Sequence, residues 1–188
     1  MSAGFVQCDG GRAASGRKGS AGDCVCRAIA IASGLPYGEV YDMLAEGNAG
    51  QRRTKHNKTK SGRRSASNGI YVRRGWFKAL MTRLGFRWVP TMGIGTGCKV
   101  HLNASELPAG RLVVAVSKHY TAVINGEIWD TYDPRREVHC SRPLSQGEEL
   151  KPGEWLGTQV VNCETRRAAH SIQRRCVYGY WVFEGAKG

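Results

Sequence analysis

At 188 residues the chain is long enough for one domain with a substantial hydrophobic core, because a domain of this size buries roughly 70% of the surface its unfolded state exposes. An apolar fraction of 41% and a charged fraction of 23% exclude whole-chain disorder; no run approaches the ~18 consecutive apolar residues of a membrane span, and no apolar run follows a basic start. The formal charge of +13 and a pI near 9.8 favour anionic partners (nucleic acid, an anionic membrane or an acidic substrate) without choosing among them.

The predicted elements begin after a glycine-rich stretch, residues 4 to 22, which reads as a loop. Asp23 suits a helix N-cap, Cys24 to Ala32 is almost entirely small and apolar, and Gly34 with Pro36 supplies a stop. Apart from Arg27 this helix is apolar all round, so it is expected to be central and buried. A second, peripheral helix starts at Pro36, carries Val40, Tyr41 and Leu44 on one stripe and ends near Gly47. Residues 49 to 68 lack apolar periodicity and read as an exposed basic insert. Seven of the cations (Arg52, Arg53, Lys55, Lys58, Lys60, Arg63 and Arg64) lie there, and without them the formal charge falls from +13 to +6. A third helix, Arg74 to Leu84, has Phe77, Leu80, Met81 and Leu84 on one face with Gly85 after it.

Strand signals then take over. They run from Phe86 to Met92, from Leu112 to Val116, from Tyr120 to Ile124, from Glu127 to Tyr132 and from Cys176 to Phe183. Asn125-Gly126 marks a two-residue hairpin turn. Helices first and antiparallel strands later predict an α+β domain spanning 1-188, with a buried N-terminal helix packed on a C-terminal antiparallel sheet. The seven cysteines are an odd number in a chain that needs no staples, which predicts free thiols in a reducing, cytoplasmic compartment.

The chemistry centres on Cys24. A thiol at a helix N-terminus faces unpaired N–H groups and the positive end of the macrodipole, which favour the thiolate. Cys26 lies about 200° further around the helix and faces elsewhere. By itself Cys24 reads as a small buried hydrophobe, which is what an intracellular cysteine usually is, and a histidine delivered by a buried strand shifts that balance. His119, opening the strand that runs to Ile124, is held by the sheet as a general base should be. If Ile124 pairs with Glu127 across the turn, His119 and Asp130 share a face as diagonal neighbours roughly 7 Å apart. Asp130 then orients and charges the imidazole. Asp133 has the opposite parity, and a bulge near Pro134 would be needed to bring it in.

Asp9-Gly10-Gly11-Arg12, Gly22 through Ala30, Cys98-Lys99-Val100-His101-Leu102, His119 through Pro134, and Arg175 through Trp181 resemble stretches of uncharacterised bacterial and phage papain-like proteins. The resemblance covers most of the chain except the basic insert and residues around 143 to 170. It implies a papain-like cysteine-peptidase fold with Cys24 as nucleophile, His119 as base and Asp130 as orienting acid, acting on a peptide or amide substrate in the cytoplasm, of the host if phage-encoded. Deamidase or acyltransferase chemistry would use the same residues. Better-known enzymes of that type carry an oxyanion-hole glutamine a few residues before the nucleophile, whereas Gln7 lies far upstream. No cofactor is implied.

Other signals are weaker. Cys98 and His101 with His139 and Cys140 have permissive spacing for zinc, although neighbouring side chains of an extended 139–140 pair diverge. Gly93-Ile94-Gly95-Thr96-Gly97 lacks the following Lys-Ser/Thr of a phosphate loop and reads as a cleft rim. His56 and His170 acquire no role. The rival reading is a catalytically inactive basic adaptor that holds nucleic acid or acidic partners through Arg52, Arg53, Arg63 and Arg64.

Overall fold

The protein was described from a computed structural model covering residues 4–19, 21–51, 65–135, 139–143, 168–171 and 175–185. Among these, three helices and eight strands occur, in the order β1 (Phe5–Gln7), α1 (Cys24–Ser33), α2 (Tyr37–Ala49), α3 (Gly75–Arg83), β2 (Phe86–Pro90), β3 (Arg111–Val116), β4 (His119–Ile124), β5 (Glu127–Asp130), β6 (His139–Pro143), β7 (Ala168–Ser171) and β8 (Val177–Phe183). The chain divides into two compact units, Met1–Pro134 with Cys176–Gly188, and Arg135–Arg175.

The first unit is mixed α and β. Its six-stranded sheet has the order β1, β5, β4, β3, β8, β2. Ladders within it are antiparallel except that β1 runs parallel to β5, with Gln7 opposite Asp130. The expected all-antiparallel sheet is therefore corrected to a mixed one. The missed strand lies in the stretch that reads as loop, because three residues at a sheet edge carry no usable alternation. The second unit holds the antiparallel pair β6 and β7, with Cys140 opposite His170.

Two apolar layers cover the sheet. On one side α1, α2 and α3 pack Ile29, Leu44, Phe77 and Met81 against Val113, Ala122 and Trp181. On the other, Leu102 and Leu107 cover Leu112, Val114, Val123 and Ile128. Every residue of β3 from Leu112 to Val116 is buried, because the strand is sandwiched between these layers. Helix α1 is central as expected, with seven of its ten residues buried.

Gly47 does not end the second helix. The helix continues to Ala49, and a Cβ at Gly47 would lie 2.4 Å from ring atoms of Trp76. The glycine is a seat for the indole where α2 meets α3, a tertiary role that looks like a stop signal in sequence. Gly47→Ala is expected to destabilise the fold by about 1–3 kcal/mol through overpacking, read as a lower urea midpoint by tryptophan fluorescence. An unchanged midpoint would show that Trp76 moves aside freely.

Residues 65–68, expected to belong to the exposed insert, are instead tied into the fold. Ala66 is buried, Tyr41 shares hydrogen bonds with the Ser65 and Ser67 hydroxyls at 3.2 and 3.0 Å, and Asn68 bridges to Gly22. The cations Arg52, Arg53, Arg63 and Arg64, with His56, lie outside the described residues. Among the described residues no helix is long and apolar enough to cross a membrane.

Candidate active site

The hairpin of β4 and β5 has the predicted register, Ile124 opposite Glu127 and Val123 opposite Ile128. Its turn is Asn125-Gly126 with φ of 49° and 85°, both in the left-handed region that asparagine and glycine tolerate. Counting back along this ladder sets His119 and Asp130 on one face as diagonal neighbours, and the side chains meet. His119 Nε2 lies 2.6 Å from Asp130 Oδ2. The second carboxylate oxygen accepts the Thr131 N–H at 2.7 Å, and the Cys8 N–H donates to the Asp130 carbonyl at 2.8 Å. The unexpected strand β1 thus clamps the acid's backbone from its far side. Asp133 is exposed and is not the acid on Nε2.

Nε2 is engaged by Asp130, and Nδ1, the remaining ring nitrogen, has the Tyr132 hydroxyl 3.4 Å away. Cys24 is the first residue of α1, half-buried, and its sulfur interacts with the His119 imidazole and with the Tyr120 N–H. Burial pushes the Cys24 thiol up, but the hydrogen bond and charge of His119, the Tyr120 N–H and the nearby Arg27 together hold it below the ordinary thiol range. Burial pushes His119 down, yet the Asp130 and Cys24 contacts raise it to about 9. These opposed shifts, the thiol down and the imidazole up, favour a thiolate–imidazolium pair. Cys26 behaves oppositely: it is fully buried, its sulfur points at the Tyr37 carbonyl at 3.8 Å, and burial pushes it up to about 12.

Tyr132 is a site residue that sequence reasoning named only as the end of the strand from Glu127. Its ring tilts 40° over the imidazole with centroids 5.2 Å apart, and its hydroxyl stands 3.4 Å from Nδ1. Register alone places it there, so the signal was available, but the exposure of a tyrosine after a strand end did not suggest a function.

Asp23 departs from expectation. Its side chain makes no cap hydrogen bond to α1; it is buried and takes Arg12 Nε at 2.9 Å, the Arg27 guanidinium one turn along the helix, and the Tyr37 hydroxyl at 2.5 Å. Two buried guanidiniums outbid the helix amides for one carboxylate, since a charged donor makes the stronger bond. Arg12 also donates to the carbonyls of Arg17, Lys18 and Gly19. The glycine-rich stretch is thereby wrapped around the residue that precedes Cys24.

Cys98 and Cys176 are joined by a disulfide, their Cα atoms 5.8 Å apart. This corrects the expectation of free thiols throughout. The two residues meet because His101 bridges to Cys176 and the Val177 N–H donates to the Val100 carbonyl, which brings the segments side by side. Cys8, Cys24 and Cys26 are free. Cys98 has therefore given its sulfur to the disulfide, and His101 Nδ1 lies 2.9 Å from Glu106. The zinc grouping thus loses these two atoms, and among the described residues no cluster of three or more His, Cys, Asp and Glu is arranged for a metal. Gly93 to Gly97 forms a turn outside the cleft lining.

A cleft of about 1060 Å³ opens beside Cys24 and His119. Gln7, exposed on β1, does not line it, whereas Asn68 does. Asn68 reaches this position through its bridge to Gly22, two residues before Cys24. No local pattern in the basic insert announces that return. Compared with known proteins, the chain matches no family, no curated protein and no solved structure.

Proposed function

We propose that the protein is a thiol hydrolase of papain-like type, cleaving a peptide or side-chain amide bond through Cys24, His119 and Asp130. The observation that carries this reading is the continuous contact chain from the Asp130 carboxylate through the His119 ring to the Cys24 sulfur, at the wall of an open cleft. Structural cysteines and histidines have no need of a depressed thiol, a charged imidazole and substrate access together. The papain-like assignment is supported by a nucleophile at the start of the inner helix, a base at the start of a sheet strand and an acid on the neighbouring strand, in that chain order.

In the proposed cycle the Cys24 thiolate attacks the carbonyl carbon, a C–S bond forms and the π electrons move to oxygen. Collapse breaks the C–N bond while the proton on the thiol-facing nitrogen of His119 passes to the leaving amine. Water then attacks the thioester, His119 takes its proton, and the C–S bond breaks to return the acid product and the thiolate. Asp130 holds the ring orientation throughout and stabilises its charged form. The oxyanion needs two donors. The first-turn amide of Cys24 has no helix partner and supplies one. The Asn68 carboxamide, exposed and without a hydrogen bond among the described residues, supplies the second.

Asn68→Ala is accordingly expected to lower the acylation rate by an activated p-nitrophenyl ester about 10²–10³-fold with the fold intact; a rate within threefold of wild type would remove Asn68 from the oxyanion site. The reading itself is tested by incubating the full chain with peptidyl, side-chain amide and ubiquitin-like acyl electrophiles. A single adduct at Cys24, missing in Cys24→Ala, is expected by intact mass and peptide mapping. Adducts spread evenly over Cys8, Cys24 and Cys26 would count against it.

A further inference from the structure

We infer that the cleft is built for an anionic acyl substrate: a peptide segment whose large apolar side chain lies on an aromatic wall beside the scissile carbonyl and whose adjacent carboxylate faces a cationic rim. This rests on the thiol-hydrolase reading and extends it to the class of substrate.

The wall is made by Trp88 on β2 with Tyr178 and Trp181 on β8. Trp88 and Trp181 stack with centroids 5.1 Å apart and a 54° tilt. Trp88 and Tyr178 are 37% and 40% exposed, so these rings are packed on one side and open on the other. Two local devices hold them there. A register shift makes Tyr178 an extra residue, since Ala115 pairs with Gly179 and Val116 with Val177, and a bulge of this kind re-aims a side chain. A Cβ at Gly179 would lie 2.3 Å from the Trp88 ring, so only glycine lets that indole lie against the strand. Large aromatics held open in a concavity are the usual means of taking up an apolar side chain.

The rim is formed by Arg73, Lys78 and Lys118. All three are exposed, and among the described residues none of them has an ion pair and no carboxylate lines the cleft. Lys118 sits at φ 57° in the two-residue turn between Val116 and His119. A Cβ disfavours that conformation and glycine or asparagine would occupy it more easily, so what lysine adds at this position is its charge, next to the base. Aromatic rings with cations would also suit single-stranded nucleic acid. The thiol–imidazole pair in the cleft wall selects an acyl substrate instead.

The test uses the full chain and peptidyl acyloxymethyl ketones that differ only in the two residues next to the reactive carbonyl: Asp-Phe, Asn-Phe, Asp-Ala and Lys-Phe. Alkylation of Cys24 is followed by intact mass. Asp-Phe is expected to react at least tenfold faster than Asp-Ala and several-fold faster than Asn-Phe, with Lys-Phe the slower of the two charge variants. In Arg73→Gln/Lys78→Gln/Lys118→Asn, or in 1 M salt, the charge preference should vanish while the phenylalanine preference stays. Trp88→Ala should reverse that pattern, keeping the charge preference. Equal rates across the set, with Cys24 still labelled, would overturn this inference and leave the hydrolase reading standing. Failure of every probe to label Cys24 would overturn both. Stronger protection of Cys24 by a single-stranded oligonucleotide than by an acidic peptide would also overturn it, in favour of a nucleic-acid groove.

Discussion

His119→Ala is expected to slow alkylation of Cys24 by iodoacetamide about ten- to hundredfold at pH 7, because a thiol with an ordinary pKa is only ~3% ionised there and burial lowers that fraction further. Under the proposed hydrolase reading, hydrolysis should fall further, by about 10²–10⁴, since the proposed general base is lost together with the thiolate. The pH profiles separate these effects. In the wild type, alkylation should rise along an acid limb below the ordinary thiol range, because His119, the Tyr120 N–H and Arg27 outweigh the burial of Cys24. Turnover should fall again near pH 9, where His119 loses its proton. In His119→Ala burial is no longer outweighed by the imidazole, so the acid limb moves up. The limbs belong to the coupled pair rather than to either residue alone. Superimposable alkylation profiles for wild type and variant would rule out the ion pair.

The same pair carries a stability signature of opposite sign at its two ends. His119 is raised in the folded state, so its contribution is complete below the ordinary histidine value and fades as pH climbs through about 9. Cys24 is lowered, so its contribution is present above the ordinary thiol value and fades as pH falls through the folded one.

Asp23→Ala should be the most destabilising single change, about 3–5 kcal/mol by urea unfolding. Its carboxylate is fully buried between side chains of Arg12 and Arg27 that are only 14% and 10% exposed. Removing it leaves two guanidiniums facing each other without a counter-charge, and frees the Tyr37 hydroxyl as well. Asp23→Ala/Arg27→Met should recover part of the loss, because breaking one side of a buried ion pair is worse than replacing both. An Asp23→Ala midpoint within about 0.5 kcal/mol of wild type would show that water already screens the network. Since Arg12 ties the glycine-rich stretch to this carboxylate, the variant should also expose residues 9–19 to protease before global unfolding.

Much of the site was readable from short-range rules. Helix α1 announces itself through a small apolar run and a Gly34 stop that adopts φ 79°. The alternation of strand residues, counted from a turn whose type is dictated by Asn125-Gly126, places His119 and Asp130 on one face. Both inferences need only neighbours within about a dozen residues, where backbone geometry has few choices.

Other features depend on segments far apart in sequence, and tertiary structure alone decided them. Asp23 has the composition of a cap, but whether its carboxylate turns to amides or to guanidiniums depends on where Arg12 returns. Gly47 looks like a helix stop until Trp76 arrives to occupy its missing side chain. The Cys98–Cys176 bond spans 78 residues, the parallel strand β1 reaches β5 from the other end of the unit, and Asn68 joins the cleft by pairing with Gly22. In each case a side chain's local preference is worth about 1 kcal/mol, less than the contact that long-range packing offers in its place. The placement of His119 and Asp130 on their hairpin was therefore set by the chain itself, and the support around them by how the distant pieces meet.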